Sequence, residues 1–313
     1  MHVAILGAGA LGRVYGTRLA CETAERVTFV VRHGHKHGAP YRLHRVDHGG
    51  AEHVLGDPER ATAVPATADV VLVCVRAEQL GEAADAVAGV RGAIVTLTPL
   101  MPEDHDALRA RLGDRLVAGM PGVVAYFAPD GHVRYWLPRV AATLIEDHVA
   151  SAHDGAIGEL ARALDVSGVP ARRERGVHEI NAATTITFMP LTMGIAAAGG
   201  VDPLLADEPL LELAIAAAKE SAHLAEQVGR AAHWAESLVH FVNPGLIKVG
   251  VGIARHSHAE AVRYVDQHFG SKLRAQSVAM GRKLSTLAKA RGVPSAAIEA
   301  LEARLEASVG GAA

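Results

Sequence analysis

A glycine-rich turn lies between a predicted strand and a predicted helix at the start of the sequence. Residues 2–6 are a short apolar run typical of a buried strand, and residues 13–20 are typical of a helix. Between them stand six residues that match G-x-G-x-x-G: Gly7, Ala8, Gly9, Ala10, Leu11 and Gly12. Gly7 allows the tight turn, Gly9 allows a pyrophosphate to approach the backbone, and Gly12 allows the helix to pack close to the strand.

The hexapeptide alone is a weak signal, and its context strengthens it. A second apolar stretch, residues 27–31, follows the predicted helix. This order of strand, glycine turn, helix and strand indicates a dinucleotide-binding fold, in which the helix N-terminus offers free N–H groups to the pyrophosphate. We therefore predict that all six residues of the turn contact a dinucleotide.

The residue that ends the second strand indicates which dinucleotide is bound. Proteins that bind NAD usually carry Asp or Glu here, which bonds the ribose hydroxyls. This sequence has Arg32, followed by the basic and polar residues 33–37. A cation suits the 2′-phosphate of NADP, so we predict NADP as the cofactor. The alternative is that these residues form an ordinary solvated basic loop.

Histidines are concentrated just after this strand. The members of this His-rich segment are His33, His35, His37, His44, His48 and His53. Imidazole is a common metal ligand, but no Cys or carboxylate completes a familiar metal-site spacing. We predict a solvated loop here and no metal site.

Strand and helix patterns alternate through the first half of the chain. Predicted strands cover 70–75, 93–97, 116–120 and 169–172, predicted helices cover 78–88, 104–112 and 155–164, and a β-hairpin joins 123–128 to 132–136 through Pro129-Asp130-Gly131. Continuous apolar strands are typical of a parallel sheet covered on both faces. The pattern therefore predicts a doubly wound Rossmann sheet, an α/β architecture.

From about residue 175 onward the sequence shows helical patterns alone. The predicted helices cover 177–198, 208–228, 232–242, 259–268, 271–291 and 295–307, with Gly- and Pro-containing breaks between them. We predict two domains, an NADP-binding Rossmann domain at 1–174 and an all-α substrate or dimerisation domain at 175–313. A homodimer is the commonest soluble oligomer, and a monomer is the alternative.

The composition excludes several classes of protein. Half of the residues are apolar, 21% are charged and the formal charge is −3, with no block of Lys or Arg that would indicate nucleic-acid binding. The two cysteines, Cys21 and Cys74, fit a reducing cytoplasm. The most apolar stretch, residues 186–201, is interrupted by Thr187, Pro190 and Thr192, so we predict no membrane span.

Several of these features together resemble the ketopantoate reductase family. They are the stretch from Gly7 to Gly16, Arg32, the run from Asp69 to Ala77, and a helical second domain whose first helix carries Pro190-Leu191-Thr192. The resemblance implies a Rossmann domain with an added all-α domain, NADPH at the glycine turn, and a small-molecule substrate in the cleft between the domains.

The sequence departs from the family at the positions that the resemblance marks as catalytic. Arg76 stands where the family usually has Lys, and Pro99-Leu100 stands where it has Asn and Gly beside the nicotinamide. The proton-donating Lys of the family corresponds to Asn181 or Ala182, and Gln276 is the nearest match to its substrate-binding Glu. We therefore expect a substrate other than ketopantoate.

Other side chains are candidates for the missing chemistry. His178, Asn181 and Thr185 share one face of a predicted helix, and His178 can transfer a proton near neutral pH. The alternatives are a capping or solvated histidine and a threonine bonded back to its own helix.

Arg76 is a candidate to hold the cofactor or a substrate carboxylate, and the alternative is an ordinary surface ion pair. Pro99 is expected beside the cofactor. A further helical set reads better as a solvated face: Lys219, Glu220, His223 and Glu226.

Two functions fit this sequence. The first is an NADPH-dependent oxidoreductase that reduces a small carbonyl or imine compound, with a more apolar substrate than the family's usual one. The second is a catalytically silent NADP(H)-binding sensor or partner protein, since the glycine turn is intact while the family's catalytic residues are replaced.

Overall fold

Parallel strands form the centre of the first half of the chain. The computed structural model describes residues 1–32, 39–47, 50–139, 141–231, 239, 242–267, 269–270 and 274–310. The chain divides into two units, Met1–His178 and Glu179–Ala313. The first unit carries the sheets and the second is helical, which confirms the predicted Rossmann fold with an added all-α region.

Twelve strands are present in the described part of the first unit: β1 His2–Leu6, β2 Arg26–Val30, β3 Tyr41–Arg45, β4 Glu52–Leu55, β5 Arg60–Ala61, β6 Val70–Val73, β7 Ala93–Thr96, β8 Leu116–Met120, β9 Val124–Phe127, β10 Val133–Trp136, β11 Thr143–Glu146 and β12 Ala171–Glu174. The helices of this unit are α1 Ala10–Glu22, α2 Leu80–Ala86, α3 Pro102–Leu112 and α4 Ser151–Val166.

Eight of these strands form the main sheet, in the order β12-β11-β8-β7-β6-β1-β2-β5. The six strands from β8 to β5 are parallel, and β11 joins β8 in the antiparallel direction. Alternate residues of β1 serve opposite faces: Val3 and Ile5 pack with α1 and α4, whereas Ala4 packs with α2 and α3. Burial on both faces explains why these strands are continuous apolar runs.

Helix α1 lies unusually close to the main sheet because two of its residues are glycines. A Cβ on Gly12 would overlap the carbonyl oxygen of Gly7, and a Cβ on Gly16 would overlap the ring of Phe29 in β2. Only a residue without a Cβ allows this approach. The carbonyls of β1 and the first turn of α1 are thereby held next to each other.

A second sheet, in the order β4-β3-β10-β9, corrects the sequence analysis. The predicted hairpin is confirmed as β9 and β10, but it belongs to this sheet. The prediction of a solvated loop is wrong for His44 and His53, which lie in β3 and β4. His53 is 19% exposed, with Nδ1 2.6 Å from the Arg18 guanidinium. His33, His35, His37 and His48 lie outside the described residues.

The described helices of the second half of the chain are α5 Val177–Ala198, α6 Val201–Ala206, α7 Glu208–Val228, α8 Pro244–Gln267, α9 Arg274–Arg291 and α10 Ala296–Gly310. The predicted bounds of α5 and α7 are confirmed. Helix α6 was not predicted, and α8 begins at Pro244 rather than at 259.

Pro244 is tolerated because the first residue of a helix needs no N–H partner, and the Asn243 side chain accepts the Leu246 N–H (3.0 Å). The predicted helix at 232–242 falls largely outside the described residues.

Helix α5 is the one helix in the described part of the chain that is long and apolar enough to cross a membrane. In its most apolar window 61% of the residues are buried inside the protein. Such burial is what a core helix requires, so its composition has an explanation in the packing of the protein itself.

Substitution of Gly16 tests the close approach of α1. We expect Gly16→Ala to lower the free energy of unfolding by about 1–3 kcal/mol, because the added methyl group has no room beside Phe29. Gly155→Ala in α4 is the matched control, since a Cβ there meets nothing within 4 Å and should stabilise the helix by about 0.5–1 kcal/mol. Urea unfolding measures both. Equal stability of the two variants would contradict the packing argument.

Candidate functional site

The glycine turn combines two crowded positions with one open position. Gly7 has a φ of 104°, and a Cβ on it would lie 2.7 Å from the carbonyl oxygen of Cys74, so both the backbone conformation and the space demand glycine. Gly12 is crowded as described above. A Cβ on Gly9, by contrast, would meet no atom of the described residues within 4 Å. The protein itself therefore does not explain the glycine at Gly9, whereas a ligand lying on the backbone would.

The first turn of α1 faces the same space. Gly9 is the N-cap, no side-chain hydrogen bond caps this helix among the described residues, and its first turn contains no acid. The Arg13 Nε donates a hydrogen bond to the carbonyl of Ala8 (3.1 Å), which braces the turn from the helix side. Free N–H groups at a helix N-terminus together with the helix dipole favour an anion at this place.

Arg32 is exposed just beyond the C-terminal end of β2. Within the described part of the chain, no carboxylate or other acceptor contacts its guanidinium. The next strand, β5, lies on the outer side of β2, with Arg60 paired to Phe29. Strand β2 therefore ends with an arginine available to a ligand on the same edge of the sheet as the glycine turn.

The residues after β6 and β7 form the adjacent part of this edge. Arg76 is 59% exposed and lies 3.7 Å from the Glu78 carboxylate, which is the surface ion pair that the sequence left as the alternative. Pro99 is exposed, whereas Leu100 and Met101 are buried. The Thr98 hydroxyl donates to the Val75 carbonyl (2.8 Å) and so joins the ends of the two strands.

Helix α5 carries the other candidates, and burial distinguishes them. The His178 side chain is 43% exposed, whereas Asn181 is 4% exposed. The Thr185 hydroxyl donates to the Asn181 side chain (3.3 Å), and Thr187 bonds back to the Ala183 carbonyl (2.8 Å). His178 is thus the accessible member of the set, and Asn181 with Thr185 forms an internal polar pair.

Glu146, which sequence reasoning missed, organises the start of α5. Its carboxylate accepts the N–H groups of Gly176 (3.1 Å) and Val177 (2.9 Å) and lies 3.8 Å from the His178 Nδ1. Burial of Glu146 opposes its ionisation, but the bonds from His178 and the backbone outweigh this and hold the pKa of Glu146 below its usual value. A carboxylate that is only 12% exposed and stays charged can orient an imidazole and stabilise its protonated form.

His105, also missed, completes this group, which we call the histidine cluster: His105, His178 and Glu146. The rings of His105 and His178 stack with centroids 4.7 Å apart and planes 20° from parallel. Burial, and after it the neighbouring ring of His178, lowers the pKa of His105. His105 lies in the first turns of α3, just after the end of β7, and this position is the signal that could have marked it.

The candidate set on α7 has a structural explanation. The Glu220 carboxylate accepts the N–H groups of Ala297 (2.9 Å) and Ile298 (3.0 Å) and so caps α10. His223 and Glu226 are exposed and lie 3.7 Å apart. His223 and Glu226 agree with the solvated face that the sequence favoured, whereas Glu220 has a capping role that the sequence analysis did not predict. No cluster of three or more potential metal ligands occurs among the described residues.

Known proteins resemble this chain both in sequence and in structure. Residues 3–138 match the family model described as ketopantoate reductase PanE/ApbA. A 2-dehydropantoate 2-reductase from Geobacter metallireducens GS-15 has a similar structure (TM-score 0.74, 19% identity, 98% of this chain and 100% of that chain covered). So does a PanE/ApbA family ketopantoate reductase from Ralstonia eutropha JMP134 (TM-score 0.69, 22% identity, 98% of each chain covered).

A third similar structure is a D-mandelate dehydrogenase in a ternary complex with NADH and anilino(oxo)acetate (TM-score 0.66, 16% identity, 98% of each chain covered). At these identities the likeness shows the fold alone. No curated protein matches the sequence.

The histidine cluster predicts a specific pH dependence of stability. Because the pKa of His105 is lower in the folded chain than its ordinary value of 6.5, the unfolded chain binds more protons below that pH, and stability falls as the pH drops from about 6.5. The groups that face His105 are His178, Asp106 and Arg109. We expect His105→Gln to lose less stability than the unmodified protein between pH 7 and pH 5.5. Urea unfolding at several pH values measures this, and parallel curves would contradict it.

Proposed function

We propose that the chain is a member of the ketopantoate reductase family, whose model matches residues 3–138, and that it is an NADPH-dependent oxidoreductase that reduces a small carbonyl or imine compound other than ketopantoate. The open space above Gly9, between two positions that the fold itself restricts to glycine, is the observation that carries this proposal. A pyrophosphate lying on the backbone is the ligand that such a turn admits.

The residues present fit NADP. The N–H groups at the start of α1 would hold the pyrophosphate, and Arg32 would hold the 2′-phosphate. Arg32 supports NADP over NAD because it has no carboxylate partner among the described residues and no acid follows it in the segment 33–38. Pro99 and Arg76, at the ends of two neighbouring strands, would line the nicotinamide side. When bound, the reduced nicotinamide supplies a hydride.

His178 is the residue that we propose as proton donor. Reduction of a carbonyl develops negative charge on its oxygen, which a nearby acid neutralises. His178 has the exposure needed to reach a ligand, and Glu146 both orients its ring and stabilises its protonated form. Asn181 and Thr185, already bonded to each other, would act through hydrogen bonds rather than by proton transfer. No lysine lies on α5 to take the role that the family gives to that residue.

The replaced residues support a substrate with an apolar part. Pro99 and Leu100 stand where the family has Asn and Gly, and an amide that could bond a polar substrate is therefore missing at this position. The structurally similar D-mandelate dehydrogenase was solved with anilino(oxo)acetate, which carries an aromatic ring, a carbonyl and a carboxylate. We propose 2-oxo acids with apolar or aromatic substituents as the first carbonyl compounds to test, followed by the corresponding imines.

Cofactor binding tests the first half of the proposal. We expect NADPH to bind more tightly than NADH in a fluorescence titration, and Gly9→Ala to weaken NADPH binding at least about tenfold, because the methyl group occupies the space of the pyrophosphate. The same variant should unfold like the unmodified protein, since that methyl group meets no atom of the part of the chain that the structure describes. Gly155→Ala is the control for both measurements. Equal affinity for NADH and NADPH would remove the argument from Arg32.

Turnover tests the second half. With an active substrate from the panel, we expect His178→Ala to lower kcat by about 10²- to 10⁴-fold with unchanged NADPH affinity. Glu146→Gln, which keeps an acceptor for the helix cap but loses the charge, should move the alkaline fall of activity to lower pH because it stabilises the imidazolium less. Unchanged kcat in His178→Ala would eliminate this donor. Tight NADPH binding without oxidation of the cofactor by any compound would favour the silent sensor instead.

A further inference from the structure

Two arginines share one aromatic ring beside the glycine turn. The Arg13 Cζ lies 4.2 Å from the ring centroid of Tyr41, and the Arg60 Cζ lies 4.8 Å from the same centroid. The ring of Phe127 covers Arg13 from another side, at 4.9 Å. We call Arg13, Arg60 and Tyr41 the arginine–tyrosine cluster.

The fold fixes the position of this cluster. Tyr41 is 3% exposed and packs edge-on against Phe29, with centroids 4.8 Å apart and planes at 84°. Arg60 donates from Nε to the Tyr41 hydroxyl (3.3 Å) and from a terminal nitrogen to the Ala39 carbonyl. Arg13 is bonded to the Ala8 carbonyl of the glycine turn (3.1 Å). Neutral acceptors, two carbonyls and the Tyr41 hydroxyl, thus hold both guanidinium groups and do not neutralise their positive charge.

The charges around the cluster are unbalanced. No carboxylate lies within 4 Å of Arg13, Arg32 or Arg60 in the parts of the chain that the structure describes. Residues 33–38, which lie between Arg32 and Tyr41 in the sequence, include no acid. Other arginines of the same region are paired: Arg18 with Glu22, Arg26 with Glu59 and Arg42 with Glu52.

Holding two cations on one ring is unfavourable without an anion. Burial lowers the pKa of Arg13, and the charge of Arg60 acts in the same direction. Stacking on Tyr41 recovers part of this cost, because the face of an aromatic ring attracts a cation. It also restricts the guanidinium groups, so less side-chain entropy is lost when they bond a phosphate. The arrangement is one that an added phosphate group would stabilise.

From these contacts we infer that Arg13 and Arg60 act with Arg32 to bind the 2′-phosphate of NADP(H). Stacking on the Tyr41 ring holds Arg13 and Arg60 in position for this role. The inference rests on the proposed function, since it concerns the same dinucleotide. It extends that proposal because it assigns cofactor specificity to three cations from three different elements rather than to the end of β2 alone. Guanidinium groups suit this task because they bond phosphate oxygens in pairs.

The comparison of NADPH with NADH tests this inference, because the two differ only in the 2′-phosphate. We expect Arg60→Gln and Arg13→Gln, in the full-length protein, to raise the Kd of NADPH at least about tenfold while the Kd of NADH changes less than about twofold. Arg60→Lys should give an intermediate loss, since it keeps the charge without the planar fork. Arg42→Gln is the matched control and should change neither Kd.

A second measurement separates specificity from folding. Titration with adenosine 2′,5′-bisphosphate and with AMP repeats the comparison without the nicotinamide, and urea unfolding checks each variant. An equal loss of NADPH and NADH affinity would overturn the inference and place the arginines at the pyrophosphate or in a structural role. Unchanged NADPH affinity in both glutamine variants would overturn it as well. If the unmodified protein bound neither dinucleotide, the proposed function itself would fail.

Discussion

The close approach of α1 to β1 and β2 is the constraint on which the rest of the first unit depends. Because Gly12 and Gly16 lack a Cβ, the helix lies directly on the strands and the turn between them is forced into its tight path. The same approach buries Tyr15 against the main sheet, where its hydroxyl bonds the Thr143 hydroxyl (2.6 Å) in β11. It also brings Arg13 to Tyr41 in β3. The lack of a Cβ at Gly12 and Gly16 thus sets the position of α1 relative to the glycine turn, to β11 and to the second sheet.

The charged groups of this unit differ in how completely they are balanced. Most arginines pair with a nearby carboxylate on the surface, where such pairs contribute little to stability. Glu146 has a different role, since one partly buried carboxylate caps the start of α5 and also contacts His178. Arg13, Arg32 and Arg60 have no such partner among the described residues. Unpaired cations beside an open glycine turn suit a ligand that carries phosphate groups, and a histidine beside a charged carboxylate suits proton transfer.

The main-sheet strands that sequence reasoning found share one property, and the long helices share another. The strands from Val70, Ala93 and Leu116 are buried on both faces and therefore appear as unbroken apolar runs, and α5 and α7 are long enough for their pattern to be unmistakable. The strands that it missed are short, and most are only partly buried: β3, β4, β5 and β11. In β3 only Tyr41 and Leu43 point into the core, and in β11 the last residue is Glu146, which is less buried than the rest of the strand. Strands of four or five residues with mixed polarity are stabilised by their neighbours, and that information is not local.

The sequence by itself determined the glycine turn, the class of the fold and the positive charge at the end of β2. Each of these depends on the size or charge of residues that are close together in the sequence. Each can therefore be predicted from a single stretch of the chain. Only the tertiary structure decided that Glu146 and His105 meet His178, and that Arg13 and Arg60 share the ring of Tyr41. The reason is that these residues lie on separate elements, and the pairing of strands with the packing of helices on them sets the distances between their side chains.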